Sequence, residues 1–214
     1  MEYEGLSIER INHDCFKIKG SKVVYIDPFQ VEDVDEKADL VLITHEHYDH
    51  CSPSDVERVS NENTIIVTVA NCQSKLSGLD IRHIALAEPG KKIKIEGMLI
   101  EAVPAYNINK FRSPGVPYHP KENQMVGYIL TIDGKRIYHA GDTDTIPEME
   151  GFENIDVALL PVSGTYVMTA MEAAEACRKI KPKLAIPMHY GAIVGTQADA
   201  ETFKQRASYR VEII

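Results

Sequence analysis

The segment from Asp39 to Asp55 constrains this chain most. Asp39-Leu40-Val41-Leu42-Ile43 is a continuous apolar run of strand length, and it reads as a buried strand. Ser52-Pro53-Ser54-Asp55 reads as a helix start, with Ser52 as N-cap, Pro53 at the first helical position and Asp55 at the positive end. Between them stands Thr44-His45-Glu46-His47-Tyr48-Asp49-His50-Cys51. In an extended segment His45 and His47 point the same way and can chelate one metal. The turn then carries Asp49 and His50 round to a second position. Neutral imidazole suits zinc, iron and manganese, and a carboxylate completes such a site. The strand and helix frame makes a merely solvated histidine-rich loop the weaker reading.

With 214 residues, 44% of them hydrophobic, the chain can bury a sizeable core, and a single domain over 1–214 is expected. The apolar runs are strand-sized, far short of a membrane span. Met1-Glu2-Tyr3-Glu4-Gly5 has neither the basic nor the apolar region of a signal peptide. Cys15, Cys51, Cys72 and Cys177 are scattered without paired spacing and read as reduced thiols, so a cytoplasmic location is expected. A net charge of -9 disfavours nucleic acid as a partner. A small-molecule substrate and no membrane are expected; self-association into a homo-oligomer stays open.

In chain order, strands are expected at 6–11, 15–18 and 22–26, with a hairpin turn at Gly20-Ser21. A helix at 53–59, a strand at 64–69, a short helix at 71–76 and strands at 81–86, 91–95 and 98–103 follow. Residues 104–125 read as one long loop, and long ordered loops in compact domains are usually functional. Strands at 125–132 and 136–139 flank the Asp133-Gly134 turn. A strand at 157–161 precedes a helix opened by the Thr169-x-x-Glu172 capping box and ending near Ile180. A strand at 184–187, a helix at 199–206 and a last strand at 209–213 complete the pattern. A weak repeat runs through it: 21–27 echoes 134–139, 39–44 echoes 156–161, and 64–69 echoes 183–187. Two β-rich halves with outer helices imply two sheets packed face to face between helix layers.

The His-x-His-x-Asp-His loop resembles the signature of the metallo-β-lactamase fold superfamily. The resemblance covers nearly the whole chain. Gly141-Asp142-Thr143 looks like the motif whose aspartate bridges two metals, and His189, at a strand end, looks like the last metal histidine. The resemblance implies an α/β fold, the four-layer αββα sandwich of two pseudo-repeated halves, with metals where strand-end loops of both halves meet. It implies His45, His47, Asp49, His50, Asp142 and His189 as ligands, with Asp49 also catalytic. They would hold one or two divalent metal ions, zinc first, with manganese, iron or nickel as other metals that fit. One departure stands out. Many members carry a third histidine where this chain has Val103-Pro104-Ala105-Tyr106-Asn107, and Asn107 is placed at the histidine position. An amide oxygen is a poor zinc ligand, so the His45/His47 position is expected to be weakened. This stretch is similar to uncharacterised hydrolases near the ascorbate-6-phosphate lactonases. His119 is read as a loop residue near the site, with substitute ligand and substrate contact as the alternatives.

Other residues carry supporting expectations. Asp27 either accepts a hydrogen bond from a metal histidine, fixing its tautomer, or caps a strand before Pro28. His139 and Asp144 can support ligands in the same way. Tyr106, Tyr166 and Tyr190 lie on loops beside the expected ligands and either polarise a substrate oxygen or wall the pocket. His13 and His83 read as non-ligands. The leading function is a metal-dependent hydrolase, in which metal lowers the pKa of bound water towards about 7. The expected substrate is a small anionic or cyclic ester, lactone or phosphoester. A phosphodiesterase or nuclease using the same metal site is one alternative, and a non-catalytic metal-binding or regulatory module is another.

Overall fold

The computed structural model describes residues 1–214, which divide into two compact units, Met1–Glu88 and Pro89–Ile214. The first unit is one seven-stranded sheet. Its strands are β1 (Glu2–Tyr3), β2 (Leu6–Asn12), β3 (Cys15–Lys19), β4 (Val23–Ile26), β5 (Leu40–Ile43), β6 (Ile65–Thr68) and β7 (His83–Leu86), ordered across the sheet as along the chain. Pairing is antiparallel from β1 to β4 and parallel from β4 to β7. Helix α1 (Pro53–Val59) follows β5, and α2 (Gln73–Leu76) follows β6. Every residue of β4, β5 and β6 is buried, as parallel strands covered on both faces require. Ser52 holds the N-cap position of α1, but its hydroxyl donates to Asp55 Oδ2 at 2.6 Å instead of capping the helix.

The second unit holds β8 (Lys92–Ile95), β9 (Met98–Pro104), β10 (Phe111–Ser113), β11 (Val116–Pro117), β12 (Val126–Ile132), β13 (Lys135–His139), β14 (Val157–Pro161), α3 (Ala170–Ile180), β15 (Leu184–Met188) and α4 (Gln197–Arg206). Its main sheet runs β15-β14-β13-β12-β9-β8. Helices α3 and α4 pack on each other, on β14 and on β15. The capping box at Thr169 and Glu172 is formed in full. A second one, Thr196 with Asp199, starts α4 two residues before the expected 199.

The repeat read in the sequence recurs in the topology. β3-β4-β5-β6 and β12-β13-β14-β15 each pair antiparallel, parallel, parallel. It extends to a side chain. Asp39 accepts the backbone N–H of Val23 at 2.8 Å, and Asp156 accepts that of Arg136 at 2.8 Å, so each repeat ties its hairpin strand to the next by one aspartate.

Two expectations are corrected. Residues 104–125 are not one irregular loop, because they contain the β10–β11 hairpin and a 3-10 turn at Lys121–Asn123. That hairpin is mostly exposed and too short to show alternation. The last residues form no strand; a single bridge joins Val211 to Ala185.

Candidate metal centre

The first unit builds its part of the site on one buried carboxylate at the end of β4. Asp27 has φ +47°, a left-handed backbone that a non-glycine residue adopts only when its surroundings impose it. Its N–H donates to Leu42 O at 2.9 Å, which ties it to the end of β5. Asp27 Oδ1 accepts the Thr44 N–H at 2.8 Å, and Oδ2 accepts the Thr44 hydroxyl at 2.7 Å and His50 Nδ1 at 2.7 Å. An ionised carboxylate only accepts, so the His50 proton sits on Nδ1. The Thr44 hydroxyl spends its single proton on Asp27, so its oxygen accepts from His45 Nδ1 at 3.0 Å. One buried aspartate therefore sets the tautomers of two imidazoles and leaves Nε2 of each as a lone-pair donor.

Those nitrogens meet further donors. His45 Nε2 lies 3.0 Å from His47 Nδ1. His50 Nε2 lies 3.8 Å from Asp49 Oδ2 and 3.8 Å from Asp14 Oδ2, and Asp49 Oδ2 lies 3.5 Å from His13 Nε2. His13, Asp14 and His50 are fully buried and bring one ligand atom each within 4.8 Å of one another. His13 takes φ +44° in the turn between β2 and β3, which sets this pair at the site.

The second unit repeats the device. His189 follows β15 at φ +58°. The Ser163 hydroxyl donates to Thr165 O at 3.2 Å and so accepts from His189 Nδ1 at 2.9 Å. His189 Nε2 then faces Asp142 Oδ1 at 3.5 Å, while His119 Nε2 faces Asp142 Oδ2 at 3.2 Å. Asp142 offers one oxygen to each imidazole. It follows Gly141, at φ +62°, on the turn out of β13. That turn passes close to β12: a Cβ on Gly127 would lie 2.7 Å from the carbonyl oxygens of both His139 and Ala140, so only glycine fits there. His139 Nδ1 accepts the Gly141 N–H at 3.2 Å and steadies the same turn.

The remaining residues take defined places. Asp144 Oδ2 accepts the N–H groups of Ile108 at 2.6 Å and Asn109 at 2.9 Å, anchoring the 107–110 segment. The Tyr106 hydroxyl donates to Glu148 Oε2 at 2.9 Å. The Tyr166 ring packs edge-on against Tyr118, with centroids 4.7 Å apart. Tyr190 is buried. Asn107 Oδ1 accepts two N–H groups of His119, from its backbone and from Nδ1.

Within each unit, ring nitrogens and carboxylate oxygens converge at 3.0 to 3.8 Å, and such groups could hold a metal ion. Nitrogen and oxygen donors of this hardness fit a divalent metal such as zinc.

A family model described as the β-lactamase superfamily domain matches residues 7–189, well over half of the chain. This chain belongs to the β-lactamase superfamily. Among relatives of this superfamily member is a UPF0173 metal-dependent hydrolase from Thermoplasma acidophilum, 35% identical over 216 residues, covering 95% of this chain and 92% of that one. A crystallised candidate metal-dependent hydrolase from Parabacteroides distasonis is 37% identical with a TM-score of 0.84, covering 97% of this chain and 92% of that one. A metallo hydrolase from the archaeon Ignicoccus hospitalis is 25% identical with a TM-score of 0.77, covering 98% and 94%. The superfamily member carries the metallo-β-lactamase fold expected from its sequence. No helix in it is long and apolar enough to cross a membrane.

Sequence reasoning set His13 aside and passed over Asp14. Their only signal was an adjacent His-Asp pair at a hairpin turn, and the β2–β3 register brings them to His50.

The anchored loop has a pH-dependent clamp. Lys110 Nζ lies 2.7 Å from Glu172 Oε2, and Asn109 Nδ2 donates to Glu172 Oε1 at 2.7 Å. Burial raises the Glu172 carboxyl, but the Lys110 ammonium, the Thr169 N–H and the Asn109 amide together outweigh it and hold it at about 2. A depressed carboxyl contributes stability above its ordinary value of 4.5, and that contribution is lost as pH falls towards 2. The stability gap between the wild type and Glu172→Gln is expected to be constant above about pH 5 and to close in acid. Denaturant melts across that range check it; a gap independent of pH would refute the clamp.

Proposed function

We propose that this chain is a metal-dependent hydrolase of a small anionic or cyclic ester, lactone or phosphoester, working in the cytoplasm. The proposed ligands are His45, His47, Asp49, His50, Asp142 and His189, holding one or two divalent ions, with zinc the first choice. One observation carries the reading: the Nδ1 atoms of His45, His50 and His189 are each held by an oxygen that can only accept there, which keeps their Nε2 atoms as donors. Structural histidines have no need of such a uniform arrangement.

A bound divalent metal would lower the pKa of water and polarise the oxygen of the scissile bond. The chain's own residues would do the rest. Asp49, the partly exposed carboxylate of the loop, would take a proton from the attacking water at its carboxylate and pass it to the leaving oxygen. Asp27 and Ser163 would hold the imidazoles in orientation through Nδ1. A cavity of about 880 Å³ in the first unit, lined by residues including Arg10, Lys17, Tyr25 and Arg58, contains none of the proposed ligands and is not the proposed substrate site.

Free and buried thiols at all four cysteines support a reducing compartment. The net charge of -9 counts against a long polyphosphate substrate. The test is metal content together with turnover on lactone, thioester and phosphodiester panels. One or two metal ions per chain are expected, with hydrolysis lost on chelation and restored by added zinc. A chain that takes up no metal after reconstitution would overturn the proposal.

A further inference from the structure

We propose that His119 is a metal ligand and that Asn107 is the residue that makes it one. This rests on the metal-dependent reading above. Asn107 stands where a third histidine was expected, yet its amide oxygen is already committed: it accepts the His119 backbone N–H at 2.8 Å and His119 Nδ1 at 3.0 Å. The Asn107 backbone N–H donates to His119 O at 2.9 Å, and Asn107 Nδ2 donates to Tyr166 O at 2.8 Å. The amide can take only this orientation, since turning it over would set its NH₂ against the His119 backbone N–H and its oxygen against the Tyr166 carbonyl. Both residues are buried, His119 at 1% and Asn107 at 7% exposure.

The consequence is chemical. Asn107 Oδ1 cannot give a proton, so His119 carries its own on Nδ1. Nε2 is left as a lone pair, 3.2 Å from Asp142 Oδ2. Two acceptors at that distance repel unless a cation lies between them or Nε2 is protonated. Asn107 therefore does for His119 what Asp27 does for His50: it holds Nδ1 and presents Nε2. The missing histidine of the 103–107 strand end is replaced from twelve residues further on, and the asparagine left in its place becomes the positioning residue. The rigid frame supports this assignment. Asp144 fixes Ile108 and Asn109, and three hydrogen bonds join Asn107 to His119, so the imidazole is set before any ion arrives.

Zinc titration of the whole chain by calorimetry, with stoichiometry by elemental analysis, tests both parts. His119→Ala is expected to lose one zinc equivalent or to bind it at least about tenfold more weakly, and Asn107→Ala to weaken it about 10- to 100-fold. Asn107→Asp keeps an acceptor for both N–H groups and is expected to recover most of the affinity. Nitrogen NMR of the metal-free wild type is expected to show the His119 proton on Nδ1, with the Nε2 resonance moving on zinc addition. That readout serves even if an alanine variant fails to fold. Wild-type zinc binding by His119→Ala, or a His119 Nε2 resonance unmoved by zinc, would overturn the inference while leaving the hydrolase reading standing. Unchanged affinity in a folded Asn107→Ala would remove the positioning role. An unmodified chain that binds no zinc would overturn both readings.

Discussion

Asp49→Ala is expected to cut hydrolysis by at least about a hundredfold while leaving a cooperative thermal transition. Asp49 sits on the loop after β5 with its side chain 14% exposed, and its carboxylate lies 3.5 Å from His13 and 3.8 Å from His50. Those are ligand-to-ligand distances, longer than a buried hydrogen bond that holds a fold. Removing the carboxylate takes away the group proposed to move the proton, and with it one donor to the metal. The change in stability is therefore expected to stay within about 1 kcal/mol. Turnover on the substrate found by the panel, read beside a melt of the metal-free protein, separates the two effects. A collapsed melt would make Asp49 a structural residue.

Asp27→Ala is expected to do the opposite and damage both. Its carboxylate accepts three buried donors, the Thr44 N–H, the Thr44 hydroxyl and His50 Nδ1. Leaving a buried donor unmade costs about 1–3 kcal/mol, so three of them put the expected loss at about 3 kcal/mol or more. Zinc affinity is expected to fall about 10- to 100-fold, because the proton positions of His45 and His50 are no longer imposed. Asp27→Asn keeps one oxygen acceptor and should fall between the two. Chemical denaturation and zinc titration measure these losses. An Asp27→Ala chain with wild-type stability and affinity would show that the network is incidental.

The sequence displays what is local. The apolar run before Thr44, the helix after Ser52 and the capping box of Thr169 with Glu172 are each written within a few residues, and the structure has all three elements. The repeat was readable because equivalent strands carry equivalent apolar runs. What was hidden depends on register or on irregular backbone. His13 and Asp14 reach His50 only through the pairing of β2 with β3. The union of Asn107 with His119 spans twelve residues that include an exposed hairpin with no periodicity. The ending at 209–213 has the composition of a strand but gains only one bridge, so β propensity alone was a poor guide there.

The seven strands of the first sheet lie side by side in the order in which the chain is made. Each new strand pairs with the one just before it, so every closure is a short one and no strand waits for a distant partner. The arrangement lends itself to vectorial assembly from the N-terminus. The hairpins from β1 to β4 can form first, and they bring the Asp27 carboxylate to the growing edge of the sheet. β5 then docks along β4 with Thr44, His45 and His50 just behind it, and the acceptor that sorts their protons is already in place when they arrive.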